Sequence, residues 1–245
     1  MRWKCGCAYD GTDFFGWQSQ AGGNTVQDFL EARLREIFKQ PIRVHGSGRT
    51  DSGVHALGQV FHFDAAWSHP VWKLLRALQT GLPAGIQVTA VEAIDEGFHA
   101  RFSAQGKQYV YRLYEGLAPP DAMRYTWSLG SRKLDVERMN AAAQRLIGTH
   151  DFTAFGAKRG DKSEDNPVKD LRRLELTRDG PRITLTTEAS GYLYKMVRSL
   201  TGTLVAVGLG QLTPDAVEST LITRQRVQQV STAPAKGLWL MQVFY

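Results

Sequence analysis

Cysteine is nearly missing from this chain: its 245 residues hold two, Cys5 and Cys7, one residue apart. Alternate residues on a strand share a face, and a Cys-x-Cys pair alone offers too few ligands for a metal. Buried thiols in a first strand are the expectation. The six histidines are scattered without ligand-like spacing, so no metal is expected. No apolar run approaches the length of a membrane span. The segment Met1–Cys7 lacks the apolar core of a signal peptide, which makes a cytoplasmic location the expectation. No residue-level repeat is visible. What is present is ordinary for a soluble globular protein, with 42% hydrophobic and 22% charged residues. The length suits one large domain or two modest ones. A net charge of +6 is compatible with a polyanionic partner, which many basic proteins nevertheless lack.

One stretch stands out: Gly46-Ser47-Gly48-Arg49-Thr50-Asp51-Ser52-Gly53-Val54-His55-Ala56. Three of its first eight residues are glycine, which opens backbone angles that other residues avoid. Ile42–His45 before it and Gln59–Asp64 after it both carry strand patterns. A loop held between strands then displays a cation at Arg49 and a carboxylate at Asp51. Such a loop is a common place for chemistry, and an ordinary hairpin with solvated charges has the same pattern. Nucleotide-loop readings fail. Asp51 occupies the third glycine position of a dinucleotide fingerprint and would repel a pyrophosphate, and no Gly-Lys-Ser/Thr follows. In extended backbone Arg49 and Asp51 point the same way, and a nearby cation keeps an aspartate ionised.

Elsewhere the patterns alternate between strand and helix. Trp3–Tyr9 is a first strand; Phe14, Phe15 and Trp17 follow in a loop expected to tuck onto the core. Thr25-x-x-Asp28 resembles a capping box before a helix with Val26, Phe29, Leu30, Leu34, Ile37 and Phe38 on one face. Ser68 and Pro70 open a second helix, and Ile86–Ala93 returns as a strand. Lys107–Tyr114 alternates, placing Tyr109, Tyr111 and Leu113 on one face. From Arg101 to Arg112, ends included, there are three cations and no carboxylate, which suits stacked bases and phosphates; tyrosines packing on a core fit equally. A helix is expected over Asp135–Ile147 and an exposed loop over Ala157–Asp170. Strands follow over Leu171–Thr177 and Ile183–Ala189. A helix from about Tyr192 leaves Lys195 and Arg198 off its apolar stripe. Thr213-Pro214 caps a last helix, and Leu238–Tyr245 is a closing strand. The halves echo one another in element order, which predicts an α/β (α+β) protein of two similar αβ subdomains, 1–105 and 106–245. Their mainly antiparallel sheets are expected to join into one mixed sheet flanked by helices, with a ligand-binding cleft.

Six ordered segments carry a resemblance. They are Ala8–Gln18 with Thr25-Val26-Gln27; Gly48–Ala56; Phe98–Ala104 with Tyr109-x-Tyr111; His150–Phe155; Met196-Val197-Arg198 with Gly202; and Ala233–Leu238. In these the chain resembles the tRNA pseudouridine synthases of the TruA type from end to end. Ser199 stands where asparagine is usual after Arg198. Gly156 stands where arginine is common, an RNA contact that Lys158 or Arg159 could supply. The resemblance implies the pseudouridine synthase fold with an RNA-binding cleft. It also implies tRNA as substrate, uridine 38, 39 or 40 of the anticodon arm as target, a homodimer and no cofactor. It makes Asp51 the nucleophile, Arg198 its ionic partner, Tyr109 the ring stacked on the target base, and Arg49 the filler of the space the flipped nucleotide vacates. Arg101, Lys107, His55 and Leu238 join the substrate-binding set. A non-catalytic RNA-binding module would leave Asp51 without a purpose, and a glycosidic hydrolase commonly pairs two carboxylates where this loop offers one.

Overall fold

A computed structural model describes residues 1–158, 165–229 and 231–245. Along the chain the elements run β1 (Arg2–Tyr9), α1 (Val26–Phe38), β2 (His45–Gly46), β3 (His55–Asp64), α2 (Val71–Gln79) and β4 (Ile86–Ile94). They continue through β5 (Gly106–Tyr114), β6 (Trp127–Ser128), α3 (Val136–Gln144), β7 (Gly148–Asp151) and β8 (Val168–Asp179). The last are β9 (Arg182–Ala189), α4 (Met196–Gly208), α5 (Pro214–Thr223) and β10 (Leu238–Phe244). Two compact units result, one of Met1–Gln105 with Trp239–Tyr245, the other of Gly106–Leu238. Chain order alone groups the closing strand with the second unit. Its ladder places it in the first, since Trp239 lies opposite His55 and Leu240 opposite Ala56.

In the first unit the strand order is β4-β1-β3-β10, with β2 beside β3. β1 is antiparallel to both of its neighbours, and β10 is parallel to β3. Strand alternation turns Trp3, Cys5, Cys7 and Tyr9 inward, and α1 and α2 add Leu30, Leu34, Leu74 and Leu78, all without exposure. Each such leucine contributes roughly 1.5–3 kcal/mol. Burial raises the pKa of both thiols, which keeps them protonated. The capping box at the start of α1 forms: Thr25 Oγ1 accepts from Asp28 N at 3.2 Å, and Asp28 Oδ2 accepts from Thr25 N at 3.1 Å. Ile42–Val44 do not extend β2, contrary to their strand-like pattern. The Val44 N–H donates to Glu31 Oε1 at 3.0 Å and its carbonyl accepts from Gln27 Nε2 at 3.2 Å. Side chains of α1 therefore take the bonds a neighbouring strand would have made.

In the second unit the order is β5-β9-β8-β7, with β6 parallel to β5 and the rest antiparallel. Both sheets are thus mainly antiparallel and flanked by helices, as an α/β protein of mixed sheet requires. Buried Glu115 ties this unit together. It accepts from Leu134 N at 2.7 Å and from both Nη atoms of Arg178 at 2.8 and 3.0 Å. Arg178 first of all holds its carboxyl down to about 2. The helix expected from Tyr192 begins at Met196, because Lys195 sits at φ 60° in the left-handed region that a helix cannot continue through. Every residue of α4 except Arg198 is buried, so no single apolar stripe exists. α3 closes at Gln144, and Gly148 opens β7 instead of stopping the helix. The segment expected to be a loop as far as Asp170 already enters β8 at Val168; its residues 159–164, Arg159 among them, lie outside the described residues. Among the described residues no helix is long and apolar enough to cross a membrane.

Candidate active site

The loop carrying Asp51 is fastened from below by a buried amide. Gln59 lies on β3 with no exposure, on the same face as Phe61 and Phe63. Its Nε2 donates to Gly48 O at 3.0 Å and to Tyr9 Oη at 3.3 Å. Its Oε1 accepts from Ser47 Oγ at 2.7 Å and Val60 N at 3.1 Å. Tyr9 Oη lies 2.8 Å from Thr50 Oγ1, the residue before Asp51. Ser47 N donates to Val60 O at 2.7 Å. These bonds fix the backbone on both sides of Arg49, and leaving a buried member unpaired costs about 1–3 kcal/mol.

From above, the loop is held by the chain between Gly11 and Trp17. Trp17 N donates to Thr50 O at 3.1 Å, and Ser52 Oγ to Phe14 O at 3.2 Å. Gly16, at φ 87°, lies so close that a Cβ there would stand 2.6 Å from Thr50 O and 3.1 Å from the carbonyl carbon of Asp51. Beyond Asp51 the chain turns back, with Val54 N donating to Asp51 O at 3.1 Å. Gly53, at φ 76°, takes the turn position where positive φ favours glycine. The result is a rigid backbone that presents Asp51 half-buried and Arg49 exposed. Phe14 and Trp17 tuck onto the core as expected, while Phe15 is 54% exposed.

His55 is a different kind of residue from the one its position beside the motif suggests. It has no exposure, stacks on Trp239 at 4.3 Å and accepts from Gly11 N at 3.0 Å through Nδ1. Enclosed in this way it fastens β3 to β10. Arg101 is exposed at the end of the Phe98–Phe102 segment.

The other candidates belong to the second unit. Tyr109 is 7% exposed on β5 and meets Tyr192 edge-to-face at 5.2 Å. Burial raises the Tyr192 phenol's pKa well above its ordinary value, and its hydroxyl donates to Lys107 O at 3.4 Å. The neighbouring Tyr111 donates its hydroxyl to Pro234 O at 2.7 Å, so that phenol is committed to structure. Lys107 is half-buried, and Leu238 is 6% exposed where β10 begins. Arg198 sits in the first turn of α4. Its Nε donates to Ala233 O at 2.7 Å, and its own carbonyl accepts from Ala233 N at 3.0 Å. Ser199 is buried, and its hydroxyl accepts from Arg226 Nη1 at 3.3 Å, as does Gly156 O. A guanidinium from a distant segment thus bonds both Ser199 and Gly156.

Sequence reasoning missed Gln59, Tyr9 and Tyr192. Gln59 left a signal: an amide in register with Phe61 and Phe63 on an alternating strand points into the core, where it needs partners. Tyr9 and Tyr192 left none. Among the described residues no group of three or more His, Cys, Asp or Glu is arranged to hold a metal ion.

The chain is similar to proteins of one family. The profile of a family described as tRNA pseudouridine synthase matches residues 7–103 and 142–245. A tRNA pseudouridine synthase A from Bacillus licheniformis is 42% identical over 247 residues, covering 100% of this chain and 99% of that protein. The protein of that name from Bacillus subtilis is 43% identical with the same coverage. The one from Dechloromonas aromatica is 42% identical over 100% of this chain and 93% of its own. The chain belongs to the tRNA pseudouridine synthase family, isomerases of uridine in tRNA.

Proposed function

We propose that this chain converts uridine to pseudouridine at position 38, 39 or 40 in the anticodon stem-loop of tRNA, with Asp51 as nucleophile. The observation that carries the reading is the placement of Asp51. The loop before it is bonded at Gly48 by Gln59 and at Thr50 by Tyr9 and Trp17, its own carbonyl accepts from Val54 N, and Asp51 is only half-buried. A carboxylate facing a polyanion hinders binding, so its presence makes sense as chemistry. Covalent attack divides one hard step into two easier ones. The carboxylate adds to the nucleoside, the bond from sugar to uracil nitrogen breaks, and the uracil turns while held. A bond then forms from C1′ of the ribose to C5 of the uracil, C5 gives up its proton while the freed N1 gains one, and the enzyme is released. Atoms balance without cofactor or metal, because product and substrate are isomers.

In this reading Arg198 pairs with Asp51. Its Nε is spent on Ala233, so the pair would use the remaining guanidinium N–H groups, whose planar fork matches a carboxylate. Tyr109 stacks on the target base, Arg49 fills the space the flipped nucleotide leaves, and Lys107, Arg101 and Leu238 line the RNA path. The working enzyme is a cytoplasmic homodimer that lays one tRNA across both copies.

The test is Asp51→Asn, assayed by single-turnover isomerisation and filter binding on the same tRNA. Pseudouridine formation should vanish while the tRNA binds as well or slightly tighter, one negative charge having gone. A variant that still isomerises at a comparable rate overturns the assignment. Wild-type release of free uracil would mark a hydrolase, and binding without any change in the RNA a binding module. Light scattering at micromolar concentration checks the dimer, which an active monomer would refute.

A further inference from the structure

We propose a second RNA contact: the exposed ring of Phe102 stacks an unpaired base of the substrate, with Arg101 on the adjoining phosphate. The proposal rests on the tRNA reading above. One exposed phenyl is ordinary on any surface. Three observations set this one apart.

The ring is 76% exposed yet tightly fastened. His99 Nδ1 accepts the backbone N–H of Arg101 at 3.1 Å and of Phe102 at 3.3 Å. Ser103 closes the turn from the other side, its N–H donating to His99 O at 2.9 Å and its Oγ accepting from His99 N at 2.9 Å. The Phe102 ring rests against the His99 imidazole, with centroids 4.3 Å apart and planes 34° apart. A stacking surface ordered in advance loses little entropy when a base arrives.

A cation accompanies it. The Arg101 guanidinium lies 5.7 Å from the Phe102 ring centre.

The platform also continues into the catalytic hairpin. His99 adjoins His62 at 4.6 Å and His45 at 5.7 Å, and His45 stacks on His62 at 4.9 Å. His45 opens β2, the strand that leads into the Asp51 loop. Burial keeps His62 neutral near pH 7, so the stack behind Phe102 is aromatic rather than repelling. A single ring edged by guanidinium and imidazole is too small and too polar to seat a protein. It matches a nucleobase, whose flat face carries a phosphate on the same nucleotide.

The experiment compares Phe102→Ala, Phe102→Leu and Phe102→Trp for tRNA affinity by filter binding and for single-turnover isomerisation at saturating tRNA. Alanine should weaken binding by roughly 5- to 150-fold at an unchanged saturated rate. Leucine should recover little and tryptophan all of it, since stacking needs a ring. Leucine and tryptophan carry the comparison if the alanine variant fails to fold. Arg101→Gln should lower the salt slope of binding by about one contact. Affinity within twofold of wild type for alanine, or equal for leucine and tryptophan, overturns the proposal. Unchanged affinity with a change in oligomeric mass would show a protein interface and overturns it too. Failure of the tRNA reading is recognised separately, as a wild-type protein that forms no pseudouridine.

Discussion

Three glycines near the N-terminus separate backbone strain from contact with the reactive loop. Gly22 has no positive φ and open space around it; Gly23 has φ 63° and open space; Gly16 has φ 87° and a close approach to Thr50 and Asp51. Gly22→Ala should be neutral or stabilise by about 0.4–1 kcal/mol, because it restricts the unfolded chain. Gly23→Ala carries the left-handed penalty alone, about 1–2 kcal/mol. Gly16→Ala carries that penalty plus a Cβ 2.6 Å from Thr50 O and 3.1 Å from Ser52 N. Comfortable separations of carbon from its neighbours begin near about 3.5 Å, so backbone must yield by something under an ångström. Thr50 resists, since its carbonyl is bonded to Trp17 and its hydroxyl to Tyr9. Overpacking of this kind adds about 1–3 kcal/mol, for a total of about 2–5 kcal/mol. For a chain of this size that is a fall of roughly 4–20 °C in melting temperature. The larger effect should be on rate. A misplacement of about 1 Å in a reacting group can cost on the order of 100-fold, and Asp51 adjoins the displaced atoms. The assay pairs thermal unfolding with single-turnover pseudouridine formation at saturating tRNA, below the melting point of the weakest variant. Gly23→Ala should lose stability and keep its rate, whereas Gly16→Ala should lose both. A Gly16→Ala enzyme as fast as Gly23→Ala would refute the idea that this contact places Asp51.

Other perturbations test the remaining parts. Gln59→Leu keeps volume but strands Gly48 O and Ser47 Oγ, so stability should fall by about 2–4 kcal/mol, with a lower kcat and a nearly unchanged KM for tRNA. Arg198→Lys keeps the charge but loses planar two-point contact; isomerisation should drop at least about tenfold, and near-normal turnover would place Arg198 against solvent or phosphate instead. Burial, then the neighbouring His99 and His45, lower His62 from 6.5 to about 4. The folded state therefore resists a proton that the unfolded chain accepts. Stability should be full above pH 6.5 and decline toward pH 4 by at most about 3 kcal/mol. His62→Gln should flatten that slope in urea titrations across the range, and a wild-type midpoint independent of pH there would refute the shift.

Periodicity revealed the helices because their causes are local. Thr25 and Asp28 cap α1 as their spacing promises, and Pro70 opens α2 as its fixed φ allows. Where local pattern failed, a distant partner had intervened. Ile42–Val44 look like a strand, yet Glu31 and Gln27 of α1 claim the bonds of Val44. Met196–Gly208 buries every residue but Arg198, so the stripe set Arg198 apart as drawn and understated only how much of the rest of the helix is covered. His55 illustrates the limit of local pattern within the motif itself. Its neighbours in sequence suggest a substrate contact, and Trp239, almost two hundred residues away, covers its ring.

The reactive loop divides along the same line. Asp51 stands out in the sequence through the resemblance of its motif, which is what puts it forward as the nucleophile. The residues that aim it carry no such mark. Gly16 acts by having no side chain where Thr50 approaches, and Gln59 by placing an amide in a hydrophobic layer. Only the second departs from expectation within its own strand, which breaks the apolar face formed with Phe61 and Phe63. Polar residues on the buried face of a strand beside a glycine-rich loop are therefore worth testing as supports for the loop. By that criterion Ser47, buried and bonded to Gln59, belongs with the support and not with the chemistry. Its replacement by alanine should change stability before it changes rate.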